Sequence, residues 1–255
     1  MKKAIIYLVV FAAIQLIVPQ LILWTYSLIA GSEPEMNATM MIISLTASSI
    51  AGIALFLYLK WAEISRSYIR SRPWAVLFWC AIAAFGAIIP SSFLQEVMPE
   101  LPNIVEDEFD MILRNRWGYF AVGLLAPISE ELVFRGAILR ALLRWTPRHW
   151  VAIAISAVLF ALIHANPAQM PHAFLIGLLL GWLYYRTDSI VPGIVYHWVN
   201  NSVAYVIYNL YPDPSLKLID LFGSQRTVAA AILFSLFIML PALYQLYLRL
   251  KKASY

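Results

Sequence analysis

Charged side chains are scarce in this sequence. Aspartate, glutamate, lysine and arginine make up 13% of the 255 residues, whereas 62% are hydrophobic. A soluble globular domain is about a quarter charged and about half apolar. The core of a chain of this length is too small to bury so many apolar residues. The composition therefore excludes an ordinary soluble domain and predicts an integral membrane protein.

Cysteine is nearly absent too. Cys80 is the only one, which excludes an internal disulfide, and its apolar neighbours indicate a packing role. The formal net charge is +4, but the basic residues stand at the ends of apolar runs and form no single basic face. We therefore expect a lipid bilayer around the protein and no nucleic-acid partner.

Apolar runs bounded by charged or turn residues define eight candidate spans. Their length favours helices over strands, so we expect an all-α polytopic membrane fold. The first run continues for roughly 27 residues, longer than the apolar part of a secretory signal, and is expected to remain as a span. The runs lie at about 4–30, 38–60, 74–97, 118–143, 149–165, 170–186, 190–210 and 227–248.

The basic residues agree with eight spans. With a cytoplasmic N-terminus, thirteen of the eighteen lysines and arginines fall on the inner side, four fall on the outer side, and Arg135 is left within the membrane. This asymmetry obeys the positive-inside rule, so both termini are expected in the cytoplasm. Lys251 and Lys252 belong to the inner set. The acidic outer segment 98–116 is predicted to be a solvated loop or a surface helix.

Three ionisable residues stand near the middle of the fourth run. Glu130, Glu131 and Arg135 lie within six residues, where each isolated charge costs about 2.5–3.5 kcal/mol on insertion scales. Glu131 and Arg135 are four apart and are predicted to pair on one helix face. Glu130 points elsewhere, which leaves a free carboxyl suited to a general base. Pro127 has no N–H and is predicted to loosen the turn before Glu130.

Imidazole and amide groups occur in two later runs. His164 ends an apolar run, with Phe160 four residues earlier on the same face. His197 and Asn201 are also four apart, whereas Asn200 is rotated away and ranks below Asn201. A glutamate and a histidine can activate water, and a second histidine and an asparagine can stabilise an oxyanion. Together these groups suit hydrolysis of an amide bond.

The two remaining histidines are predicted to lie at edges. His149 follows Pro147 and Arg148 at the inner membrane boundary and is expected to be interfacial. His172 follows Pro171 at the start of the sixth run and is expected to be a helix-end residue.

Three ordered motifs resemble those of the CPBP family, the CAAX proteases and bacteriocin-processing enzymes. This family is also called Abi and includes the Rce1-type CAAX endopeptidases. The motifs lie in a core of about 118–210, within what we expect to be a single membrane domain over 1–255. The resemblance implies an intramembrane endopeptidase of about eight helices surrounding a cavity open to water and lipid. The motifs are Glu130-Glu131-x-x-x-Arg135, Phe160-x-x-x-His164 and His197-x-x-x-Asn201.

The resemblance also implies roles for the matching residues. Glu130 and His164 would activate the attacking water, and His197 and Asn201 would form the oxyanion hole. The supporting residues would be Glu131, Arg135 and Phe160, with direct assistance from Glu131 as an open alternative. No acyl-enzyme is expected, and Ser129 is not expected to be a nucleophile.

A zinc site is the open question of cofactor chemistry. Glu130, His164 and His197 could in principle ligate zinc. However, the sequence has no His-Glu-x-x-His pair, and a glutamate-activated water needs no metal. We therefore expect metal-independent chemistry, with no cofactor.

Three other functions stay open. Without chemistry, the charged cluster would be a salt-bridged helix contact, and the chain a non-proteolytic scaffold or a bacteriocin-immunity protein. A proton-coupled transporter is a further alternative, although the sequence shows no matched pair of broken helices. For a peptidase, the substrate would be a protein or peptide, membrane-bound or lipidated. The compact chain favours the bacterial cytoplasmic membrane.

Overall fold

The computed structural model describes residues 1–32, 34–213 and 216–250, so Lys251 and Lys252 lie outside the described residues. Within these ranges the chain contains helices and connecting segments and no strand. The long helices are α1 (Lys2–Ala30), α2 (Ala38–Tyr58), α4 (Trp74–Val97), α8 (His149–Ile163), α9 (Met170–Thr187), α10 (Val191–Leu210) and α12 (Gln225–Arg249). Short helices α3 (Arg66–Arg70), α5 (Glu106–Arg114) and α11 (Leu218–Phe222) lie between them.

Residues 119–143 form one continuous helical run, here called the central segment. It alternates between π and α register in four segments, π1 (Tyr119–Leu125), α6 (Ala126–Val133), π2 (Phe134–Leu139) and α7 (Arg140–Leu143). All eight predicted apolar runs are therefore helical, and the prediction of an all-α polytopic membrane protein is confirmed. Among the described residues, four helices are long and apolar enough to cross a membrane by length and composition: α1, α2, α4 and α12.

Pro127 accounts for part of the π register. The Ala126 N–H bonds to the Ala121 carbonyl, five residues back. In that register the next amide would bond to the Val122 carbonyl, but Pro127 has no N–H. The predicted loosening before Glu130 is thus present as π1. Such π segments are rare and frequently occur at functional sites.

The central segment lies in the middle of the fold, where it contacts α1, α2, α8, α9 and α10. Its apolar side chains, among them Phe134 and Ile138, join Phe11, Phe56 and Phe160 in one buried cluster. A second cluster fills the space between α4, α9, α10 and α12 and includes Cys80, which is fully buried as predicted. The ionisable motif is therefore held by helices on all sides.

The acidic segment 98–116 contains a surface helix, as predicted. Helix α5 buries Ile112 and Leu113, and Asp110 receives hydrogen bonds from Arg114 and from Tyr208 of α10. The hydrogen bond from Arg114 holds the pKa of the half-buried Asp110 carboxyl below its usual range. This segment is therefore anchored to α10.

Candidate active site

The predicted ion pair between Glu131 and Arg135 is present. Arg135 Nη1 lies 2.8 Å from Glu131 Oε1, and both side chains are buried. Arg135 Nη2 also donates to the Gly177 carbonyl of α9 at 3.3 Å. Because a buried charge is stable only when it is paired and hydrogen-bonded, this pair requires the neighbouring helices to be in place.

Glu131 has a second partner, His197, which the sequence did not reveal. The Nδ1 atom of His197 lies 3.2 Å from Glu131 Oε1, the oxygen that also accepts from Arg135. An ionised carboxylate can only accept, so Nδ1 carries the hydrogen. The contact therefore fixes the tautomer of neutral His197 and directs Nε2 away from Glu131.

Glu130 lies on the other side of the same imidazole. Its Oε2 is 3.8 Å from His197 Nε2, beyond direct hydrogen-bond distance. The Glu130 side chain is 21% exposed, whereas that of Glu131 is fully buried. The two adjacent glutamates thus differ as predicted: Glu131 is buried and pairs with Arg135 and His197, whereas Glu130 remains partly exposed.

His164 caps the end of α8 and bonds to its own helix. Its Nδ1 lies 2.8 Å from the carbonyl oxygen of Phe160. A carbonyl only accepts, so neutral His164 also carries its hydrogen on Nδ1 and keeps a free lone pair on Nε2. The imidazole is half-buried and can accept a hydrogen bond from water or substrate.

Phe160 holds the histidines and Arg135 around one ring. The Arg135 guanidinium carbon lies 4.3 Å from the ring centroid, in a cation–π position. The imidazoles of His164 and His197 both meet the same ring edge-on, at centroid distances of 5.0 and 5.8 Å. Phe160 therefore contacts both histidines and Arg135, so residues from all three motifs meet at this ring.

Asn201 fills the gap that Pro127 leaves in π1. Its Nδ2 donates to the Val122 carbonyl at 3.0 Å, the acceptor freed by the missing proline N–H. Asn200, ranked lower from the sequence, is buried and donates to Asn201 Oδ1 at 3.2 Å. One amide hydrogen of Asn201 is thus structural, and the other remains available for an oxyanion.

His172 also belongs to this cluster, which the sequence did not indicate. Its position in the first turn of α9 is the predicted helix end. However, the neighbouring Ala173 packs in the buried cluster that contains Phe160, and a hydrogen bond from the Met170 N–H to the Asn166 carbonyl folds this turn back towards the end of α8. The Nδ1 atom of His172 lies 2.6 Å from Ser91 Oγ of α4. Only the packing of α4 against α9 could reveal this contact. His149, in contrast, stacks on Tyr185 at a centroid distance of 4.2 Å.

Glu130, His164 and His197, the residues that could in principle ligate zinc, do not form a metal cluster in the described part of the chain. No group of three His, Cys, Asp or Glu side chains there is placed to hold an ion. Ser129, the residue before Glu130, is buried against α2, where a Cβ built on Gly52 would lie 3.3 Å from Ser129 Oγ. The polar side chains described at the site are carboxylates, imidazoles, amides and the Arg135 guanidinium.

Gly193 provides the space for the Glu131 carboxylate. A Cβ built at Gly193 would lie 2.6 Å from Glu131 Oε2, which has no hydrogen-bond partner among the described residues. We expect Gly193→Ala to displace Glu131, to lower the free energy of unfolding by about 1–3 kcal/mol and to reduce activity through His197. Melting in detergent and peptide cleavage measure the two effects. The double variant Gly193→Ala/Glu131→Asp has a shorter carboxylate side chain and should recover part of the stability. A Gly193→Ala protein with the stability and activity of wild type would contradict this prediction.

Comparisons with known proteins support the resemblance. Residues 113–203, which contain all three motifs, match a family model described as "Type II CAAX prenyl endopeptidase Rce1-like". The UPF0177 protein YxdF of Lactococcus lactis subsp. lactis (strain IL1403) is 31% identical over 104 residues, 40% of this chain and 52% of that protein. The chain thus aligns with about half of that relative's length. No solved structure matches. The predicted resemblance to the CPBP family is confirmed over this part of the chain.

Proposed function

We propose that this protein is an intramembrane endopeptidase that hydrolyses a peptide bond with a glutamate-activated water. One observation carries the proposal: Glu130 is a reachable carboxylate beside His197, in an apolar fold, next to a buried Glu131–Arg135 ion pair. A purely structural cluster needs only the buried pair. Intramembrane ionisable groups without a compensating partner are functional candidates, because their burial is costly.

The residues suggest a simple sequence of proton transfers. Glu130 would take a proton from water as the water oxygen attacks the scissile carbonyl carbon. The free Nε2 of His164 would orient that water by accepting its second hydrogen. The carbonyl electrons move to oxygen, and when the C–N bond breaks, Glu130 returns the proton to the leaving nitrogen.

His197 and Asn201 would stabilise the oxyanion. Asn201 has one amide hydrogen left for this purpose. His197 can donate from Nε2 only as an imidazolium, because Nδ1 already carries the hydrogen bonded to Glu131. The carboxylates of Glu130 and Glu131 lie on either side of the ring.

The surroundings of the site favour a substrate that reaches it from the membrane. The central segment is enclosed by apolar helices, so a membrane-bound or lipidated protein or peptide is the proposed substrate class. We also propose the bacterial cytoplasmic membrane as its location, with both termini on the cytoplasmic side.

A chelator experiment tests the proposed chemistry. The purified protein in detergent is assayed with a quenched fluorescent peptide library, beside His164→Ala, with and without a strong zinc chelator. We expect cleavage by wild type, loss of about 10²-fold or more in His164→Ala, and no effect of chelator. If the chelator abolished cleavage and added zinc restored it, His164 would bind a metal ion rather than orient the attacking water. If cells that carry His164→Ala kept full biological function, the non-proteolytic scaffold would be the favoured function.

A further inference from the structure

His172 differs from the other two imidazoles of the site in what it bonds to. His164 and His197 each present Nδ1 to an oxygen that can only accept, a carbonyl and a carboxylate. Both rings, when neutral, therefore expose a lone pair on Nε2. The Nδ1 of His172 instead faces the hydroxyl of Ser91, which can donate as well as accept.

The Ser91 hydroxyl permits the opposite tautomer. When Ser91 O–H donates to Nδ1, the hydrogen of neutral His172 sits on Nε2, the nitrogen turned away from Ser91. His172 is half-buried, and the next residue, Ala173, packs in the same buried cluster as Phe160, whose ring meets both His164 and His197. In that tautomer His172 is a neutral N–H donor, whereas His164 and His197, uncharged, cannot donate from Nε2.

This property answers a need of the proposed reaction. A tetrahedral intermediate places negative charge on the former carbonyl oxygen, and preorganised donors aimed at it are often the largest catalytic contribution. His197 supplies such a donor only when protonated, and Asn201 has one amide hydrogen already committed to Val122. A neutral imidazole donor avoids bringing another cation into an apolar site, as in enzymes that polarise a carbonyl with neutral histidine.

We propose that His172 is a further catalytic residue, the neutral hydrogen-bond donor to the oxyanion, and that Ser91 is its positioning residue. The inference rests on the proposed peptidase function. No proton is transferred in this role: the Nε2–H bond strengthens its hydrogen bond as charge develops on the oxygen, and Ser91 keeps the hydrogen on Nε2.

The kinetic test compares variants on the library peptide that wild type cleaves best. We expect His172→Ala to lower kcat by about 10²–10³-fold with KM changed less than about twofold. His172→Gln, which retains an N–H donor, should recover part of kcat. Ser91→Ala should cause a smaller loss that Ser91→Thr restores. His149→Ala, whose ring stacks on Tyr185 outside the site, is the matched control and should match wild type.

A phosphinate analogue of the same peptide separates catalysis from packing, since it mimics the tetrahedral intermediate. His172→Ala should bind the phosphinate more weakly, by the same factor as its fall in kcat/KM. Its affinity for a peptide amide that is not cleaved should be unchanged. The proposal would be overturned if His172→Ala lost equal affinity for the phosphinate and for the peptide amide. It would also be overturned if the kcat of this variant stayed within about threefold of wild type.

The tautomer gives a readout that needs no activity. In protein labelled with ¹⁵N-histidine, the signals of His172 are those that vanish in His172→Gln. We expect neutral His172 to carry its hydrogen on Nε2 and neutral His164 to carry it on Nδ1. A hydrogen on Nδ1 of His172 would overturn the inference. If Glu130→Gln kept full cleavage, the peptidase mechanism would fail while the tautomer assignment stood.

Discussion

Glu130→Gln is expected to abolish peptide cleavage while leaving the fold intact. The substitution keeps the size of a side chain that is 21% exposed and makes no direct hydrogen bond to His197. It removes the only proposed acceptor for the proton of the attacking water. General-base catalysis contributes about 10²–10⁴-fold, so a fall in kcat of about 10³-fold or more is expected, with a melting temperature close to that of wild type.

The matched control is Glu108→Gln on α5, which changes an exposed carboxylate outside the site. Cleavage by this variant should equal that of wild type. Both proteins are assayed at the same concentration on the same library peptide, after their melting curves have been compared in detergent. A Glu130→Gln protein that cleaves within threefold of wild type would eliminate the glutamate-activated water. If Glu130→Gln lost cleavage only because the protein unfolded, Glu130 would have a structural role.

Arg135→Met should cause the largest loss of stability. Arg135 is fully buried, pairs with Glu131 and lies over the ring of Phe160. Removing one partner of a buried ion pair costs about 3–5 kcal/mol, because the other charge is left uncompensated. For a chain of this size this corresponds to a fall in melting temperature of roughly 10 °C. Thermal unfolding in detergent, followed by tryptophan fluorescence, measures the change.

The double variant Glu131→Met/Arg135→Met separates stability from function. With both charges replaced by apolar groups, most of the lost stability should return, since such replacements are often neutral or stabilising. Cleavage should not return, because His197 has lost the carboxylate that fixes its tautomer. Arg148→Met, which removes an exposed cation before α8, is the control. A double variant that is less stable than Arg135→Met, or that cleaves normally, would contradict this division of roles.

Local spacing could be predicted well because helix geometry is fixed along the chain. Residues four apart share a face, so the pairing of Glu131 with Arg135 and the different surroundings of Glu130 followed from the order of residues alone. The loosened turn at Pro127 followed from its missing N–H. The length and apolarity of the runs predicted all eight helical segments, since a membrane span needs about 20 apolar residues.

The contacts between helices could not be predicted in the same way. Transmembrane helices are apolar all round, so periodicity does not tell a face that meets another helix from one that meets lipid. The partnership of Glu131 with His197 spans 66 residues of sequence. That of His172 with Ser91 spans 81. Neither pair has a spacing that any local rule connects.

The sequence by itself therefore determined the membrane class, the helices and the set of ionisable residues, because these depend on composition and on geometry within one helix. Only the tertiary structure decided which side chains His197 and His172 contact, because Glu131 and Ser91 lie on other helices. It also decided that Asn201 completes π1 and that Gly193 makes room for Glu131. These contacts depend on how close two backbones approach, which the packing of whole helices sets.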